Sequence, residues 1–124
     1  MLELRNVDFA YKNQSHVIHD VSLTVNPGDF LAIVGRNGSG KTTLTRLIMS
    51  LIKPIKGDIL FQGRIIPSNS PAKMAHHIGY VFQNPDHQIF HDTVVQEASY
   101  GPKQLGYTPE QTTTFVNEAL NLTG

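Results

Sequence analysis

Gly35-Arg36-Asn37-Gly38-Ser39-Gly40-Lys41-Thr42 decides how this chain is read. It follows the continuous apolar run Phe30 to Val34, which has the length of a buried strand. It precedes Lys41 to Leu51, where Leu44, Leu47, Ile48 and Leu51 recur at helical spacing until Lys53-Pro54 ends the helix. The octapeptide fits G-x-x-x-x-G-K-[ST] in the strand-to-helix context which that pattern requires. Glycines let the main chain curl without Cβ clashes, so successive N–H groups turn toward one concave anion site. The helix that starts near Lys41 adds its dipole and its unpaired N–H groups. Lys41 is expected to reach the β- and γ-phosphates of a nucleotide, Thr42 to ligate Mg²⁺, and Thr43 to place a hydroxyl near the α-phosphate. Gly35, Asn37, Gly38, Ser39, Gly40, Lys41, Thr42 and Thr43 therefore form the expected phosphate site. Four fixed positions of these kinds would be matched by accident only about 0.004 times in a chain of this size.

On either side of this loop the residues suggest a layered fold. Apolar residues alternate with polar ones over Leu2 to Phe9 and Val21 to Val25, as on strands with one wet face, and Asn26-Pro27-Gly28-Asp29 has the chemistry of a tight turn. Gly57 to Gln62 and Ile78 to Gln83 read as further strands, with a short helix after Ser70-Pro71. Thr93 to Leu105 and Thr108 to Leu122 read as helices; Thr108-Pro109-Glu110-Gln111 is a capping box with Pro at the first helical position. This order predicts an α/β fold: a P-loop nucleotide-hydrolase core with parallel pairing, joined to an N-terminal antiparallel β subdomain.

Composition sets outer limits. At 124 residues the chain is one domain or a piece of one. Ten basic residues balance ten acidic ones and 40% of residues are hydrophobic, which argues against disorder and gives no support to a general nucleic-acid binder. Cysteine is absent, so disulfides and thiolate metal sites are excluded. Met1-Leu2-Glu3-Leu4-Arg5-Asn6 puts charges where a signal peptide needs its apolar core, and no run approaches the roughly 18 apolar residues of a membrane span. Charge is uneven: nine basic and five acidic residues occur up to Val81, one and five from Phe82 onward. Solvated faces explain that asymmetry, and an anion site in the basic half explains it as well. His76-His77 and His87 with His91 lack a third ligand at motif spacing, so no metal held by protein ligands alone is expected.

A phosphate loop does not name its nucleotide or its reaction. A GTPase would carry N-K-x-D and D-x-x-G, and neither string occurs. A P-loop kinase would need a second substrate pocket, and no motif marks one.

Further residues carry a resemblance. Leu2-Glu3-Leu4, Tyr11, the phosphate loop, Pro54 to Gly57, and Gln83 after Ile78 to Phe82 together resemble the ATP-binding subunits of ABC transporters over essentially the whole chain. The resemblance implies that Tyr11 stacks on the adenine, where a flat π-face suits a purine. It also implies that Gln83 contacts Mg²⁺ or the attacking water and begins the segment facing the membrane subunits; a neutral amide can accept from water and donate to phosphate oxygen. Lys41 and Gln83 are then the candidate catalytic residues, and Thr42 and Gln83 the candidate Mg²⁺ ligands.

Val81-Phe82-Gln83-Asn84-Pro85-Asp86-His87-Gln88-Ile89-Phe90, with Thr93-Val94 and Glu97, resembles more narrowly the energy-coupling factor branch and its cobalt-type relatives. Tyr100 to Gly106 follows that branch except that Gln104 stands where Asn is expected. The resemblance implies ATP and Mg²⁺ as cofactors, and hydrolysis coupled to uptake of a vitamin or metal ion. Its implied partners are a second ATP-binding subunit, a transmembrane coupling protein and a substrate-binding membrane subunit, with the chain peripheral on the cytoplasmic face of the membrane. The family's S-G-G-Q signature, the apolar run ending in Asp, the following Glu and the switch histidine have no counterpart in these residues. The chain is thus expected to be about the first half of such a subunit, truncated before the signature, and inactive in hydrolysis by itself. The competing expectation is a non-hydrolytic nucleotide-binding or partner-docking module that uses Phe82 to Phe90 as its surface.

Overall fold

A computed structural model describes residues 1–12, 15–67, 70–84, 86 and 88–124. Its elements are β1 (Leu2–Ala10), β2 (His16–Val25), α1 (Lys41–Ile48), β3 (Lys56–Phe61), β4 (Arg64–Ile65), α2 (Pro71–Ala75), α3 (Val94–Gln104) and α4 (Pro109–Thr123). They fall into two compact units, Met1–Gly79 and Tyr80–Gly124.

The first unit is built on a four-stranded sheet of order β2-β1-β3-β4, antiparallel throughout. Leu4, Val7 and Phe9 of β1 face the core, a spacing that breaks strict alternation after Leu4. The break is a bulge: the register shifts between Leu4 and Val7, with Asn6 at φ 46° and Asp20 opposite at φ 47°. Asn6 holds the distortion by donating from Nδ2 to Asp20 Oδ1 at 2.9 Å and from its N–H to Ser22 Oγ at 3.0 Å. Beside it, the buried Asp8 pairs with His19 Nδ1 at 2.8 Å and accepts the Asp20 N–H at 3.0 Å. The His19 hydrogen bond, then the Asp20 amide, hold the Asp8 carboxyl below the usual carboxylate range. Because the irregularity interrupts the period of two, alternation alone picks out β2 only from Val21, whereas the strand starts at His16.

Gly57 carries the next constraint. A Cβ there would run into the carbonyl oxygens of Arg5 and Asn6, so only glycine lets β3 approach β1 at the bulge. Gln62 and Gly63, at φ 51° and 76°, then form a two-residue turn between Phe61 and Arg64, which are paired across it. The short β4 that results was not expected from sequence, because Gln is an uncommon residue for a left-handed turn position.

Helix α1 lays Leu44 and Leu47 on the sheet, against Leu4, Val7, Phe9, Ile18 and Ile59. It ends at Ile48 rather than Leu51. Ser50 adopts φ 56°, the Leu51 N–H reaches the Arg46 carbonyl at 3.0 Å and the Ser50 N–H the Leu47 carbonyl at 3.0 Å, the double closure of a Schellman cap. Ser50 replaces the usual glycine there because its buried Oγ donates to the Pro67 carbonyl at 2.9 Å and accepts from the Ser70 N–H at 3.2 Å.

Two expected strands are corrected. Neither Phe30 to Val34 nor Ile78 to Gln83 joins a ladder among the described residues, and Phe30 and Val34 are 99% and 88% exposed. An apolar run becomes a central parallel strand only when neighbours bond it on both edges and helices cover both faces. Around Phe30 and Val34 such cover is lacking, so local propensity alone does not make a strand.

In the second unit, α3 packs on α4. The Thr93 hydroxyl caps α3 by accepting the Gln96 N–H at 3.3 Å. The expected capping box opens α4: Thr108 Oγ1 accepts from the Gln111 N–H at 3.2 Å, and Gln111 Oε1 accepts from the Thr108 N–H at 3.0 Å. No helix among the described residues is long and apolar enough to cross a membrane.

Candidate phosphate and base site

The loop from Gly35 to Gly40 joins the exposed apolar run to α1, and all of it except Gly40 is open to solvent. Its middle is a turn in which the Ser39 N–H donates to the Arg36 carbonyl at 3.2 Å, with Asn37 and Gly38 at the tip. Gly40 is the N-cap of α1 at φ 93°, where a Cβ would come within 2.9 Å of Ile18 Cδ1 and 3.0 Å of the Val17 carbonyl oxygen. Only glycine fits, and glycine has no side chain with which to cap. The first-turn N–H groups, those of Lys41, Thr42 and Thr43, therefore lack the side-chain acceptor that Ser or Asp would supply, and an external anion can take its place.

Lys41 is placed by the loop itself. Its Nζ donates to the Gly35 and Arg36 carbonyls, each at 2.8 Å. An ammonium has three donors, so two carbonyls fix its position and one N–H remains for a phosphate oxygen. Sequence reasoning expected the charge; it did not anticipate that the loop's carbonyls anchor it. Thr42 is exposed on the same turn, where its hydroxyl could serve a cation beside phosphate oxygens. Thr43 is buried, and its Oγ1 lies 3.3 Å from the hydroxyl of Tyr11. Tyr11 is half-buried just past the end of β1, and Phe9 meets its ring edge-on at a centroid distance of 4.9 Å.

Tyr11 and the eight candidate phosphate residues thus all lie in the first unit, where Tyr11 meets Thr43. Gln83 belongs to the second unit, on an exposed segment. There Glu97 makes a clasp that sequence reasoning did not foresee: its Oε2 accepts the N–H groups of Phe90 and His91 at 3.2 and 3.0 Å and pairs with His91 Nδ1 at 2.9 Å. The His91 bond, ahead of the two amides, keeps the Glu97 carboxyl below the ordinary glutamate range. His77 stacks on Phe61 at 5.3 Å, while Pro85 and His87 lie outside the described residues.

A family model described as ABC transporter matches residues 18–124. The chain belongs to the ABC transporter ATP-binding family. It is 37% identical over 126 residues to the energy-coupling factor transporter ATP-binding protein EcfA2 of Methanospirillum hungatei, covering 100% of this chain and 32% of that protein. Among solved structures it is similar to CbiO1 of Clostridium perfringens, part of the ABC transporter complex CbiONQ, with TM-score 0.83, 30% identity, and 97% and 49% of the two chains covered. It is also similar to the dimeric ATP-binding cassette MJ0796 in a post-hydrolysis state with ADP and phosphate, with TM-score 0.83, 25% identity, and 98% and 56% covered. The chain spans 21% to 47% of the length of the first three curated relatives it matches. The antiparallel sheet with α1 and its phosphate loop is therefore the N-terminal region of a P-loop nucleotide-hydrolase fold.

Proposed function

We propose that this chain is the nucleotide-holding part of an energy-coupling factor type ATP-binding subunit, which couples Mg-ATP hydrolysis to uptake of a vitamin or metal ion. The observation that carries the reading is the loop with its lysine: an ammonium pinned by the Gly35 and Arg36 carbonyls beside uncapped helix amides fits a polyphosphate. Similarity to EcfA2 and CbiO1 supports the branch, and similarity to a cassette that holds ADP and phosphate supports the nucleotide. Lys41 and the loop amides bind and orient the phosphates, Tyr11 supports the base, and the hydroxyls of Thr42 and Thr43 address the metal and the α-phosphate. Gln83 remains the candidate for water or metal that the family resemblance implies. Mg²⁺, when bound beside the Thr42 hydroxyl, would neutralise phosphate charge.

The partners in this reading are a second ATP-binding subunit, a transmembrane coupling protein and a substrate-binding membrane subunit, with the protein peripheral on the cytoplasmic face. Lys41→Ala in the full-length protein, assembled with its membrane partners, is expected to abolish ATP hydrolysis and solute uptake together. Turnover retained within tenfold of the parent would sink the assignment.

A further inference from the structure

Tyr11 and Thr43 are 32 positions apart in sequence, yet their hydroxyl oxygens are 3.3 Å apart. One belongs to the candidate base platform and the other to the first turn of α1, which carries the candidate phosphate residues Lys41 and Thr42. We propose that Thr43 is a positioning residue for Tyr11: the hydroxyl pair holds the tyrosine ring beside the start of α1 before nucleotide arrives. The inference rests on the reading that this loop binds ATP.

The geometry favours a hold of this kind. Tyr11 stands past the last residue of β1, so the ladder no longer fixes its backbone. Its ring is restrained at two places: Phe9 meets it edge-on at 88°, and Thr43 meets its hydroxyl. Thr43 is itself buried on α1, an element fastened to the core through Leu44 and Leu47. A ring already in place does not have to be ordered when the base binds, which removes part of the cost of association. The two duties of Thr43 are chemically compatible. A hydroxyl has one donor and two acceptor sites, so it can accept from Tyr11 and still donate to a phosphate oxygen. At 3.3 Å the pair is longer than the usual spacing of about 2.7–2.8 Å between hydroxyls, so the hold is modest and its removal should be felt as a small factor.

Titration calorimetry on the full-length protein, with ATP and with inorganic tripolyphosphate, separates positioning from phosphate contact. Tyr11→Phe keeps the ring and is expected to weaken ATP about three- to fivefold while leaving tripolyphosphate unchanged. Thr43→Val should weaken both ligands but ATP by the same additional factor, and Thr43→Ser should restore the ratio of the two affinities. The double variant should lose no more ATP-over-tripolyphosphate preference than Thr43→Val alone. Equal losses for both ligands in Thr43→Val, an unchanged preference in Tyr11→Phe, or preference losses that multiply in the double variant would each overturn the proposal. A parent protein that binds neither ligand would instead overturn the functional reading on which it stands.

Discussion

Gly40 shows how much one missing side chain decides. It closes the phosphate loop in a left-handed conformation, with Ile18 and the Val17 carbonyl already against the space a methyl group would need. Gly40→Ala therefore combines backbone strain with a backbone clash, costing about 1–3 kcal/mol. In the full-length protein we expect a lower Tm and weakened ATP binding, read by thermal denaturation and calorimetry; unchanged values in both would mean that the loop relaxes freely. Glu97 makes a second prediction at this scale. Its depressed carboxyl favours the clasp on Phe90 and His91 at pH above 4.5, and the contribution is lost as pH falls through the depressed value. Hydrogen exchange, corrected for intrinsic rates, should show the Phe90 and His91 amides protected at neutral pH and released in acid. Glu97→Ala should release them at every pH. The glycine-rich loop and its lysine were legible as candidates because their chemistry is local. The clasp was not, because nothing in the string says which of several carboxylates turns back on the Phe90-His91 amides.

At the scale of elements, ends were read well where a side chain caps them and poorly where tertiary contacts do. The α4 box was visible as Thr108-Pro109-Glu110-Gln111 and forms with both reciprocal bonds. Thr108→Ala removes one of them and is expected to cost about 1 kcal/mol, detected by denaturant unfolding and by faster exchange in the first turn of α4. Helix α1 was read three residues too long. Leu51 continues the apolar period, but Ser50 leaves the helix because Pro67 and Ser70 give its hydroxyl two partners. β2 was read too short for the complementary reason: the bulge at Asn6 and Asp20 keeps Ile18 buried while disrupting the alternation that would have revealed it.

For the molecule as a whole, the core of the first unit joins the antiparallel sheet to α1. Leu47 is 1% exposed and touches that cluster, so Leu47→Ala is expected to cost about 2–5 kcal/mol and to loosen the phosphate loop with the helix it opens. Denaturant unfolding of the full-length protein checks the first expectation and ATP titration the second; a loss below 1 kcal/mol would mean that α1 is held by other contacts.

The sequence by itself determined the glycine-rich loop, the helix after it, the antiparallel start and the α4 cap, because each depends on residue chemistry within a span of eight or so positions. Only the tertiary structure decided that Tyr11 meets Thr43, that Lys41 rests on two loop carbonyls, that Gly57 admits β3 to the bulge, and that Phe30 to Val34 stays out of a ladder. Those outcomes are set by which surfaces the folded chain brings within a few ångströms of one another. Local propensity carries no information about such meetings.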